Sequence, residues 1–184
     1  MVISKNIFFI FATLLACGAN AYEFNLAAGL QSYSVQQLEE DNSLPDEAES
    51  GTGLHLGASV KNNYGESKKH WFGFGVDIDR IMGQKMLALR ALDYEYELNE
   101  EMRIGAFFGA ATLDTGLPQN GYYTGVNASY LNIIDKLDLV IEARYGSGLA
   151  RDRKLLASDP SGDRVDMFLD FTSIALSLRW NFTR

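Results

Sequence analysis

The sequence predicts an all-β protein, an eight-stranded antiparallel up-and-down transmembrane β-barrel. Three observations predict it. Apolar and polar residues alternate strictly in eight segments of roughly ten residues, the period of strands with one apolar and one polar face. Beyond the first 21 residues no apolar run approaches the roughly 18 residues of a spanning helix, and no segment carries a convincing helical period. The polar faces hold charges at mid-strand beside Gly and Ser, whereas the apolar faces end in aromatics.

The alternation sets each element in turn. In the first, Tyr22, Phe24, Leu26, Ala28 and Leu30 oppose Glu23, Asn25, Ala27, Gly29 and Gln31. The second sets Leu54, Leu56, Ala58 and Val60 against His55, Gly57, Ser59 and Lys61. The third sets Phe72, Phe74, Val76 and Ile78 against Gly73, Gly75, Asp77 and Asp79. The fourth ends with Leu92, Tyr94, Tyr96 and Leu98 against Asp93, Glu95 and Glu97; its start near Arg90 breaks register, which predicts a bulge or a later start. Met102, Ile104, Ala106, Phe108 and Ala110 mark the fifth, and Tyr122, Thr124, Val126, Ala128 and Tyr130 the sixth. Leu137, Leu139, Ile141, Ala143 and Tyr145 mark the seventh, and Ile174, Leu176, Leu178, Trp180 and Phe182 the eighth. A sheet this wide with one apolar face leaves that face and two edges open, and closure into a barrel removes the edges.

Alternation alone does not say which face points outward. A soluble lipocalin-like carrier would line its lumen with the apolar face, and this is the rival architecture. The charges decide for the opposite sense: Asp77, Asp79, Asp93, Glu95, Arg103, Glu142, Arg144 and Arg179 suit a narrow lumen where they can pair. Tyr22, Phe72, Tyr96, Tyr130 and Phe182 fall at one rim, and Tyr122 and Tyr145 at the other, as interfacial girdles do. The odd connections, near 37–52, 80–86, 113–121 and 147–166, are mostly longer than the even ones near 62–70, 98–101 and 131–136.

The chain has 184 residues, the size of one domain, and is 47% hydrophobic, which argues for a folded chain. With 24 Asp+Glu against 16 Lys+Arg and a net charge of −8, it lacks the basic footprint of a nucleic-acid binder. Lys5, the apolar run Ile7 to Ala16 and the closing Ala19-Asn20-Ala21 predict a signal peptide over residues 1–21 and a barrel domain over residues 22–184. Leu14-Leu15-Ala16-Cys17 also fits a lipid-attachment signal; the cut after Ala21 is preferred because it directly precedes the first strand. Cys17 is the only cysteine, so that cut leaves no disulfide, cysteine metal site or cysteine nucleophile.

These features together resemble small eight-stranded outer-membrane β-barrels of Gram-negative bacteria, of the OmpA/OmpX-like kind, from Tyr22 to Phe182. The resemblance implies an outer-membrane location and contact with membrane lipid and lipopolysaccharide. It also implies an assembly signal read by the barrel assembly machinery, here Leu178, Trp180 and Phe182, although Thr183 and Arg184 follow the aromatic. It carries over no active site.

The candidate site is therefore a lumen charge network of Asp93, Glu95, Arg103, Glu142, Arg144 and Arg179, with the three Arg facing the three acids. The same charges would serve a proton or ion path; eight strands leave little room for water, so a filled, closed lumen is expected. His55 and Ser59 share a face, but no motif completes a catalytic triad, and an outer-leaflet lipid-modifying enzyme stays the alternative activity. The acidic 37–52 connection lacks the spacing and central Gly of an EF-hand loop. Gly73 and Gly75 precede no helix and make no phosphate loop. Arg151, Arg153 and Arg164 in the 147–166 connection suit lipopolysaccharide phosphates, or alternatively local ion pairs. The expectation is a monomer without catalytic residues, metal or cofactor, acting structurally or through surface interactions.

Overall fold

The computed structural model describes residues 22–39, 48–114, 119–151 and 167–183. The predicted signal peptide, Cys17 and most of the acidic and mixed-charge connections lie outside them. Eight strands follow in chain order: β1 (Tyr22–Glu39), β2 (Ala48–Tyr64), β3 (His70–Ile81), β4 (Gln84–Asn99), β5 (Met102–Leu113), β6 (Asn120–Ile134), β7 (Leu137–Arg151) and β8 (Met167–Asn181). Each pairs antiparallel with its sequence neighbours, and β8 returns to β1 to close the barrel. Closure leaves no row of unpaired backbone groups.

The strands are 12 to 18 residues long, not ten, so they extend past the predicted ends. The connection placed near 80–86 shrinks to Met82-Gly83, whose φ angles of 52° and 73° are the mark of a two-residue type I′ turn. The register break in β4 is a bulge: Gly73 and Gly75 pair with Asp93 and Arg90, so β4 carries one residue more than β3. The extra residue resets the alternation and keeps both Arg90 and Asp93 facing inward.

Every apolar stripe read from the sequence faces outward. Phe24, Leu26 and Leu30 on β1, Leu54 and Leu56 on β2, and Ile174, Leu176, Leu178, Trp180 and Phe182 on β8 are all exposed. From Ile174 to Phe182, at about 3.4 Å per residue and a tilt of about 40°, the band is about 20 Å tall. The lipocalin-like sense is the reverse of this one. At the short-turn end the aromatics contact one another across strands: Tyr64 meets Phe72 at 5.7 Å, and Phe72 meets Tyr94 at 4.7 Å.

Above the band, at the end bearing the longer connections, the faces exchange character. Ser32, Thr52, Arg80, Lys85 and Thr172 point outward. Tyr33, Val35, Ile81, Met86, Leu113, Leu149, Leu169 and Phe171 gather inside as an apolar cluster. The polar-in expectation therefore holds over the band and inverts beyond it, where the outer surface meets water and the described interior residues form an apolar cluster.

Two glycines make room for interior rings. A side chain at Gly125 would overlap the Phe107 ring, and one at Gly146 would overlap Phe171. Gly125→Val is expected to destabilise the barrel by roughly 1–3 kcal/mol, because the strand cannot move away from the ring without breaking two ladders. A lowered urea midpoint for the refolded protein checks this; an unchanged midpoint counts against it.

Candidate functional site

Alternation on eight closed strands sends every second side chain into one narrow lumen. Among the described residues, seven carboxylates (Glu23, Asp77, Asp79, Asp93, Glu95, Asp138, Glu142) and five basic groups (Lys61, Arg90, Arg103, Arg144, Arg179) are buried there. A buried charge persists only when paired and hydrogen-bonded, and the lumen pairs these in two groups.

The first group centres on Arg90 and Arg144. Arg90 Nε donates to Asp77 Oδ2 at 2.6 Å, and its two terminal nitrogens grip Glu142 at 2.9 and 2.8 Å. The guanidinium also lies 4.0 Å from the centre of the Phe107 ring, a cation–π contact. Tyr123 Oη donates to Asp77 Oδ2 at 2.9 Å. Arg144 reaches across the lumen to Asp79 at 3.1 Å, to Ser173 Oγ at 3.1 Å and to Gln31 Oε1. His55 Nδ1 is 2.8 Å from Asp79 Oδ1, and Nε2 is 3.9 Å from Glu142. A proton on Nδ1 is donated to Asp79; the Arg144 nitrogen 2.9 Å from the same Nδ1 then has Asp79 as its own acceptor.

The second group centres on Glu95, which has no solvent exposure. Lys61 Nζ donates to it at 2.7 Å and Arg179 Nη1 at 2.6 Å, with Arg103 3.8 Å away. Lys61 also meets Asp93 at 2.9 Å, and Arg179 meets Asp138 at 3.1 Å. Arg103 grips Glu23 at 2.8 and 3.2 Å, meets Glu97 at 3.3 Å and stacks 4.0 Å over Trp71. A cavity of about 30 Å³ lies between the groups, lined by Asn25, His55, Lys61, Asp93, Glu142 and Arg179 among others. It is large enough for a water molecule, and both Asn25 amide atoms lack a protein partner.

All six predicted network residues face the lumen, but their pairing differs from the sequence expectation. Arg179 does meet Glu95. Glu142 is taken by Arg90, so Arg144 turns to Asp79; Asp93 is taken by Lys61, so Arg103 turns to Glu23 and Glu97. Sequence reasoning missed Arg90 because it stands at the bulge. It missed Lys61, Glu23 and Asp138 because they lie near strand ends, where alternation gives the face but not the depth. Leu178, Trp180 and Phe182 face outward at the short-turn end. His55 and Ser59 both face inward; the His55 ring is hydrogen-bonded to Asp79, with the Arg144 guanidinium beside it.

No family model and no curated protein matches the sequence. Solved structures match in shape. Neisserial surface protein A is 15% identical with a TM-score of 0.48, over 86% of this chain and 97% of its own. The outer membrane protein AlkL is 11% identical with a TM-score of 0.49, over 92% and 94%. OprG from Pseudomonas aeruginosa is 11% identical with a TM-score of 0.43, over 91% and 99%. The likeness is one of fold. The eight-stranded closed barrel itself rests on this chain's own ladders.

Proposed function

We propose that this chain is a monomeric integral protein of the bacterial outer membrane, with a lumen closed by its own side chains and a structural or surface-interaction role without catalysis. The observation that carries the reading is the pairing of an outward apolar band with an inward ion-pair network. Reversing the faces would set Arg90, Arg144 and Arg179 in hydrocarbon, at roughly 2–4 kcal/mol each near the midplane. One end carries connections 40–47, 82–83, 114–119 and 152–166, and the other only 65–69, 100–101 and 135–136. In outer-membrane barrels the longer set faces outward from the cell. His55 is enclosed by Asp79, Glu142 and Arg144, which supports a structural role for it rather than turnover of an outer-leaflet lipid. The partners that follow are membrane lipid, lipopolysaccharide and the assembly machinery.

Cell fractionation and gel mobility test the location. The protein is expected in the outer-membrane fraction and to migrate differently with and without boiling; recovery from the soluble periplasm without detergent overturns the reading. Planar bilayers test the closed lumen. The ion pairs span the band and the apolar cluster caps it, so no stable open pore is expected. Steady, large single-channel currents from the wild-type protein would move it to the transporters.

A further inference from the structure

Arg80 and Lys85 stand directly opposite each other on β3 and β4, both exposed and both on the outward face. They lie one step beyond Ile78 and Leu87, the last apolar pair of the band on these strands. Two like charges at facing positions of one sheet face repel. Neither makes an ion pair with a described residue, and Asp114, whose N–H donates to the Lys85 carbonyl at 3.1 Å, forms none with Lys85. The pair is held in place despite the repulsion. The Met82-Gly83 turn joins the two strands with only two residues, and the Met82 N–H donates to the buried Tyr33 hydroxyl at 2.8 Å. Arg80 Nε donates to the Gly83 carbonyl at 3.4 Å, which ties the guanidinium to the turn and leaves its terminal nitrogens for another acceptor.

We infer that Arg80 and Lys85 form a binding site for the phosphate of a lipid headgroup in the leaflet at the long-connection end. The inference rests on the membrane reading above and names a lipid ligand for that surface. A guanidinium offers a planar two-donor fork and an ammonium a compact point charge, and together they match the several oxygens of a phosphate monoester. Their height matches as well. A lipid whose acyl chains lie against Ile78 and Leu87 carries its headgroup just above them, level with the pair. A bound phosphate also offsets the repulsion between the two cations.

The test uses the full barrel refolded into phosphatidylcholine vesicles containing lipid A, a phosphorylated glycolipid. Insertion is scored first, by gel mobility without boiling and by protease protection. The barrel is then extracted in detergent, and retained lipid A is measured by mass spectrometry. Arg80→Gln/Lys85→Gln is expected to insert as the wild type does and to retain roughly tenfold less lipid A, the loss of two charge-assisted contacts. Lys68→Gln/Lys69→Gln, at the opposite end, is expected to retain the wild-type amount. Excess inorganic phosphate is expected not to displace the lipid; displacement by phosphate alone overturns the lipid assignment. Insertion with equal retention by the Arg80/Lys85 variant overturns the site alone, whereas failure of the wild type to insert overturns the membrane reading with it.

Discussion

Arg90→Ala is expected to destabilise the barrel by about 3–5 kcal/mol, the cost of leaving buried partners without their counter-charge. Arg90 is the only basic group in direct contact with both Asp77, at 2.6 Å, and Glu142, at 2.8 Å, among the described residues. Its loss leaves those carboxylates with the Tyr123 hydroxyl at 2.9 Å and His55 at 3.9 Å. The surrounding charge worsens the loss, because seven buried carboxylates already face five buried Lys and Arg among the described residues. Removing a cation widens that excess. Urea titration of the refolded protein, followed by gel mobility without boiling, measures the effect. Arg80→Ala, which removes an equally long side chain from the outward face, is expected to leave the midpoint in place. Adding Asp77→Asn and Glu142→Gln to Arg90→Ala is expected to recover part of the stability. No recovery would mean that the guanidinium acts through packing on Phe107 rather than through charge. Arg144→Ala acts by the same logic, with Asp79 rather than Glu142 as the carboxylate left behind.

The fold was legible because a barrel repeats one simple rule. Side chains alternate with a period of two, and each stripe from Phe24 to Phe182 keeps its face. Even the break near Arg90 was visible as a lost register, and the bulge that causes it is what brings Arg90 into the lumen. Alternation names a face and says nothing of height, and the misreadings follow from that. The strands continue beyond the band, where Ser32 and Thr172 replace Leu and Ile outside while Val35 and Phe171 take the interior. Read locally, those segments look like loops, since their pattern has changed sign. The pairing inside the lumen depends on which heights coincide on non-adjacent strands. Arg90 and Glu142 are 52 residues apart and on strands that do not pair, so nothing in either segment announces the contact.

Deleting Trp180 to Arg184 is expected to abolish the folded barrel, because it opens the seam on which closure depends. The lower end of β8 pairs with both neighbours: Asn181 with Asn25 and Trp180 with Leu26 on β1, and Trp180 with Leu137 on β7. Phe182 N–H donates to the Phe24 carbonyl at 2.9 Å, and Asn181 N–H to the Lys136 carbonyl at 2.9 Å. Without these residues the backbone of β1 from Phe24 to Leu26 faces hydrocarbon, where each unpaired group costs several kcal/mol. The same gap exposes Glu23 and Asn25, which the closed wall buries. Refolding into detergent or vesicles is therefore expected to fail, without any cellular machinery involved. Trp180→Ala/Phe182→Ala separates closure from recognition: it keeps the backbone seam and removes only the outward rings. That variant is expected to refold in vitro and to accumulate poorly in the outer membrane of cells, if the aromatics are also read during assembly. Deleting only Thr183 and Arg184 removes, among the described residues, the Phe24 N–H to Thr183 Oγ1 bond at 3.3 Å and the two bonds from Thr183 to Asn181 Oδ1, keeps the ladder up to Asn181, and is expected to leave folding intact. A truncation at Trp180 that still refolds into a heat-modifiable barrel would show that the β1–β8 ladder above Leu26 closes the wall by itself.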